Sequence, residues 1–428
     1  MLQTLEAAFH KSGQTDLVML KIIQIIGHIS GPEALDLLWK KVDYPDKRIV
    51  KQILYSLRYR NYQAKGREAV MVKDLLDTEM AKTMWNLAAL DELPEDQPHF
   101  QYLRQAIREE IRENYDQIAL LLSLLYDPQS VQLVRENILA NTPDSIQYAL
   151  ELLDLFIDQD LKPKIIPLFD DTKTSEKLEK LQVYFPRETY NPVQVINYVI
   201  NRDFNYNNRW SKVCAVHASV YLSDFRVSRG LIAQMFNQDK MLQETAAWVI
   251  YNKDRNMYHT VSERLPFRDK RFLDSSIENN QLLDGLDDGF FLFFEMVLFI
   301  KQLPAFRGIA GNLLSDLADK IQPIDLKTHD RVVFNANEET PILICAHGEV
   351  KLKNETHEVG LLKKEDVFGD LFIDGEVPRL TEAVATERTI LFKISLHDFY
   401  FVMANHHDLV QGLIRNRSKV NNELIEQR

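Results

Sequence analysis

The chain has 428 residues, 45% of them hydrophobic and 27% charged, with a formal net charge of −12. That composition belongs to an ordinary globular protein long enough for two or three domains, and it excludes a disordered, fibrous or generally nucleic-acid-binding chain. Only 14 residues are glycine, and none lies between Gly66 and Gly230. Tight hairpins, dinucleotide fingerprints and phosphate loops all need glycine, so that stretch is expected to be helices joined by short turns. Two cysteines, Cys214 and Cys345, stand far apart without metal-ligand spacing, which fits a reducing compartment and a cytoplasmic location. The N-terminus has no basic start followed by an apolar run, so no signal peptide is expected.

From Leu2, Leu5, Ala8 and Phe9 onward the chain has helical periodicity. No polar capping repeat precedes this start, so the chain is expected to dock onto something else or to be cut from something larger. Broad apolar stripes follow Asp46 (Ile49, Val50, Ile53, Leu54, Leu57), Asp144 (Ile146, Ala149, Leu150, Leu153) and Asp239 (Met241, Leu242, Ala246, Val249). Each aspartate is read as the N-cap of the second helix of a pair. The first helices of these pairs are Ala34–Val42, Val131–Leu139 and Arg229–Phe236. The three aspartates lie 98 and 95 residues apart, and half of that is close to a helical-repeat period of about 40–47 residues. The segments YPDKRIVKQIL, TPDSIQYALELL and NQDKMLQETAAWVI resemble HEAT repeats. The resemblance implies an α-solenoid over residues 1–305 whose surface holds a protein partner; an irregular helical bundle is the alternative. The run Arg104–Arg112 reads as a solvated face of i,i+4 ion pairs. The most apolar window, Gly289–Ile300, has twelve residues including Glu295, too few to cross a membrane, which takes about 20. Its Phe290–Phe299 stretch is expected to be the last helix of the array, buried against the next domain.

From Gly308 the texture changes, which places a second domain at residues 306–428. Glycine returns, and strand-like runs appear at Arg331–Phe334, Ile342–Ala346, Glu349–Lys353, Ala383–Ala385 and Thr389–Ile394. Helical pattern resumes at Leu396–Ala404 and again from His407. Four segments in order, ILICAHGEV, LKKEDVFGD, VPRLTEAVA and ILFKISLHDF, resemble the cyclic nucleotide-binding domain family. The resemblance covers about 115 residues. It implies a C-terminal β-roll flanked by helices, so the fold class is multidomain α plus β. An unrelated jelly roll is the alternative.

The same resemblance implies a ligand site for a cyclic nucleotide at Gly369, Asp370, Leu371, Arg379, Leu380 and Thr381. Arg379 stands at the phosphate-binding arginine, because a desolvated phosphate demands charge-assisted donors. Gly369 would let backbone approach the ribose, and Asp370 replaces the glutamate that holds the ribose hydroxyl. Several positions depart from the family pattern. Glu365 replaces a turn glycine, and Phe372 replaces a small residue near the ligand. Leu380 and Thr381 replace two alanines. Glu382 would repel a bound phosphate or pair with Arg379. The site is therefore read as degenerate.

No catalytic or metal-binding constellation is present; His406, His407 and Asp408 are adjacent on a helix and do not face one point. No DNA-reading module is expected after the last helix. The sequence reading is a non-enzymatic regulatory or scaffold module with no cofactor, no nucleic-acid partner and no direct membrane insertion. Helical repeats followed by such a roll resemble the soluble C-terminal extensions of bacterial ATP/ADP translocase-type carriers, which implies a membrane carrier as a partner. The alternative is a true sensor of cyclic AMP or cyclic GMP that relays binding through its C-terminal helix.

Overall fold

The computed structural model describes residues 2–11, 13, 15–44, 46–280, 291–335, 338–355, 357–373 and 378–426; side chains are described for all of these except 16, 407 and 418–426. The chain packs as two compact units, Met1–Asp224 and Phe225–Arg428. The divide expected at 305/306 falls inside the second unit.

The first unit is helical. Asp46 caps the helix Lys47–Tyr59, its carboxylate accepting from the N–H groups of Arg48 and Ile49 at 2.8 and 3.3 Å. The stripe read from sequence is buried, with Ile49, Ile53, Leu54 and Leu57 fully so. At the second turn the cap is Thr142 and not Asp144. Thr142 and Ser145 form a capping box, and Asp144 occupies the first turn of the helix Pro143–Phe156.

The expected HEAT-like solenoid is corrected by the lengths of the helices. Arg67–Glu92 and Gln101–Leu125 have 26 and 25 residues and pack on each other. Other helices of the unit have 8 to 14 residues. No fixed short unit repeats through such a pair. The cause is local: no glycine or proline interrupts the chain from Arg67 to Leu93, and Pro94 and Pro98 then stop the helix.

The run Arg104–Arg112 is not the solvated face expected of it. Arg104 and Glu109 are 9% exposed and Glu110 is fully buried. Arg104 donates to the backbone carbonyls of Leu90 and Leu93, satisfying the end of the preceding helix. Glu110 accepts from Lys47 Nζ at 3.2 Å, from Asn208 N–H at 2.6 Å and from Ser211 Oγ at 2.9 Å. Three elements therefore converge on one carboxylate.

The second unit opens with helices. Asp239 caps Lys240–Lys253, accepting from Leu242 N–H at 3.0 Å. The apolar window becomes the helix Phe293–Gln302, with Gly289 and Phe290 outside the described residues. Glu295 has a local reason to be there: it accepts from Leu292 N–H at 2.8 Å and satisfies a free donor at the helix start. Phe291 and Phe299 pack edge-on against Phe392 at 5.2 and 5.9 Å between ring centroids. No described helix is long and apolar enough to cross a membrane.

The strands are β1 (Gln322–Leu326), β2 (Arg331–Val333), β3 (Ile342–His347), β4 (Glu349–Lys353), β5 (Glu358–Lys363), β6 (Val367–Phe368), β7 (Glu382–Ala385) and β8 (Thr389–Ile394). They form two antiparallel sheets in the orders β1-β8-β3-β6 and β2-β7-β4-β5. One face of each contributes to a common core of Leu343, Cys345, Val350, Leu352, Phe368, Ala383 and Leu391. The expected β-roll is corrected here. Each sheet is open, ending in two edge strands, and no described ladder closes either sheet or joins the two. What the chain has is a helix-rich region followed by open sheets with helices.

Candidate functional site

The expected ligand residues flank the β6–β7 connection. Gly369 follows β6 with φ of 135°. A Cβ added there would lie 2.6 Å from Ile342 Cδ1 and 3.1 Å from Ile342 Cα. Close approach to the start of β3 is thus reason enough for glycine at 369. Asp370 is engaged: one oxygen accepts from Leu371 N–H at 3.0 Å and the other from the Tyr400 hydroxyl. That hydrogen bond, with burial and the carboxylate charge behind it, pushes the Tyr400 phenol up to about 12. Leu371 takes φ of 70°, a costly conformation for a γ-branched side chain.

Arg379 is exposed, and no hydrogen bond or ion pair of its side chain occurs among the described residues. Leu380 is 2% exposed and fills the core between the sheets. Thr381 is bound to β4, its N–H and hydroxyl both donating to Lys353 O at 2.8 and 3.2 Å. Glu382 does not pair with Arg379. It pairs with Lys353 Nζ at 3.0 Å and lies 3.8 Å from Arg331 Nη1. Phe372 turns to the helices, 5.6 Å from Phe306 and 5.8 Å from Phe399 between centroids. The segment 374–377, with Val377 of VPRLTEAVA, lies outside the described residues.

The chemistry here is meagre. Among the described residues no group of His, Cys, Asp and Glu could hold a metal. His406 Nε2 lies 2.9 Å from Asp316 Oδ2, a structural pair between helices. Cys345 is a poor nucleophile: burial, then the charge of Asp366, pushes its thiol up to about 12. Cys214 is buried.

Comparison with known proteins gives coarse similarity only. No family model matches the chain, and no curated protein matches it. Solved structures do match part of it. The N-terminal domain of a transcriptional regulator from Streptomyces coelicolor A3(2) is 13% identical, with a TM-score of 0.25, covering 30% of this chain and 94% of that one. The sensor domain of the transcriptional regulator DNR from Pseudomonas aeruginosa is 15% identical, with a TM-score of 0.25, covering 29% and 91%. The catabolite activator protein of Thermus thermophilus is 19% identical, with a TM-score of 0.23, covering 29% and 61%.

A likeness this distant does not extend to family membership. Together with the open sheets it corrects the expectation drawn from the four motif segments. The resemblance to carrier extensions rested on a regular solenoid followed by a closed roll, and it falls with them.

Proposed function

We propose that the chain is a non-enzymatic regulatory module whose two-sheet domain serves as structure rather than as a cyclic-nucleotide receptor. The observation that carries this reading is how the expected ligand residues are spent. Gly369 is packed on Ile342, Asp370 is held by Tyr400, Leu380 lies in the core and Thr381 is bonded to β4. Only Arg379 is exposed and unpaired among the described residues. One guanidinium by itself does not bind a cyclic phosphate tightly.

A protein is the partner proposed for the helical region. Tyr148 and Leu155, 49% and 82% exposed on the helix Pro143–Phe156, support this, and the net charge of −12 argues against nucleic acid.

The second reading is a true cyclic-nucleotide sensor, favoured by the free Arg379. Calorimetric titration of cyclic AMP and cyclic GMP into the wild type and Arg379→Ala separates the two. No heat up to millimolar ligand is the expected result. Micromolar binding abolished by the substitution would establish the sensor and overturn the structural reading.

A further inference from the structure

Arg202 ends the helix Pro192–Asn201, its backbone N–H bonded to Tyr198 O at 3.0 Å. Its guanidinium carbon lies 4.2 Å from the ring centroid of Trp85, 4.4 Å from Tyr206 and 5.0 Å from Tyr198. Trp85 stacks on Tyr198 at 5.1 Å. Three rings thus form a box around one cation. Rings satisfy the faces of a guanidinium and leave its N–H edge unmet.

That edge has no acid. No hydrogen bond or ion pair of the Arg202 side chain occurs among the described residues, and its Nη1 is buried without a partner. Arg187, over the same Trp85 ring at 5.6 Å, shows the ordinary solution: it is bidentate to Glu92 at 3.1 and 2.7 Å. Glu110, whose charge reaches Arg202, is already held by Lys47, Asn208 and Ser211. Trp85 is 6% exposed, and its Nε1 is likewise buried without a partner. Asn207, at the end of the turn that carries Tyr206, is fully buried with both amide atoms unmet. Arginine stays charged under these conditions; Arg202 is half-buried, and its one N–H group turned away from solvent, Nη1, is costly until an acceptor arrives. A water would fill the hydrogen bonds but not the charge. Tyr198, one wall of the box, is 40% exposed, so an anion reaches the two donors only when that ring moves.

We propose that Arg202 Nη1 and Trp85 Nε1 bind a small oxyanion, the phosphate or carboxylate group of a small molecule, at the edge of the Trp85–Tyr198–Tyr206 box. The test is thermal unfolding of the full chain against inorganic phosphate, acetate and chloride at matched ionic strength. A saturable rise in midpoint with phosphate alone assigns a phosphate; with acetate alone, a carboxylate. The saturable part is expected to vanish in Arg202→Gln. It is expected to weaken about tenfold in Trp85→Phe, which keeps the stack and removes one donor. Phosphate also stabilises proteins generally by exclusion. A rise that is linear in concentration and equal in the wild type and both variants therefore overturns the site. If Arg202→Gln does not fold, unchanged apparent affinity in Trp85→Phe overturns it.

Discussion

Glu365 occupies left-handed backbone, with φ of 77°, in the turn between β5 and β6. The turn is held by Asp366, whose carboxylate accepts from Lys363 N–H at 2.8 Å, and by Glu365 N–H donating to Cys345 O at 2.8 Å. The sequence marks 365 as a position where glycine is expected, and the backbone agrees with that expectation while the side chain does not. Glu365→Gly should therefore stabilise the chain by about 1 kcal/mol, because it removes a Cβ penalty and no described hydrogen bond. Chemical denaturation checks this; an unchanged or lowered midpoint would count against strain at 365. Gly348 is the converse case. Its φ is also 77°, and an added Cβ would lie 2.2 Å from Arg388 O, a backbone atom that cannot swing aside. Gly348→Ala is expected to cost about 2 kcal/mol or more, read in the same assay.

At the level of elements, two buried carboxylates tie helices together by different means. Glu244, on Lys240–Lys253, accepts from Ser276 Oγ at 2.6 Å and from Phe293 N–H at 2.7 Å, so it joins three helices. Burial pushes its carboxyl up from 4.5 to about 7, and the two hydrogen bonds offset only part of that. Between those values the folded chain binds more protons than the unfolded one. Stability therefore falls as pH rises from about 4.5 to about 7, by up to ~3 kcal/mol from this group. Glu244→Gln keeps an acceptor for Phe293 N–H and should flatten that slope in a pH series of thermal midpoints; a slope identical to wild type would refute the assignment. Glu110 is instead matched by a cation. Lys47 loses basicity by burial and regains more than that from Glu110, Glu113 and Glu79, so its pKa ends above the ordinary lysine value. Lys47→Met leaves those carboxylates without their shared cation and is expected to cost about 3–5 kcal/mol by denaturant unfolding. A loss below about 1 kcal/mol would place the network among exposed, screened pairs.

For the molecule as a whole, a net charge of −12 sets what it meets. Counterion release on DNA needs an excess of cationic groups, which a chain of this net charge lacks, so no retardation of duplex DNA is expected in a gel-shift assay at about 0.15 M salt. A salt-sensitive shift would contradict that. The two units also differ in how they hold together. In the first, long helices bury both apolar stripes and a charged network; in the second, two open sheets share a core and helices cover Phe392.

Much of the architecture was legible along the chain because it depends on short-range pattern. The glycine-free stretch, the stripe after Asp46, the cap at Asp239 and the alternation in β4 each follow from a few neighbouring residues. Strands β1, β5 and β6 were not legible. β1 carries Pro323 and buries only Leu326, β5 carries Gly360 and buries only Leu362, and β6 has two residues; all three are sheet edges, where one partner suffices and little apolar signal is needed. Sequence alone determined that helices come first and strands later. Tertiary structure decided everything that depends on partners distant in sequence. It turned Arg104, Glu109 and Glu110 inward, spent Gly369, Leu380 and Thr381 on packing and backbone bonds, left both sheets open and placed Arg202 in a box of rings without an acid. Periodicity states which face of an element is apolar; which element covers that face is a property of the folded chain.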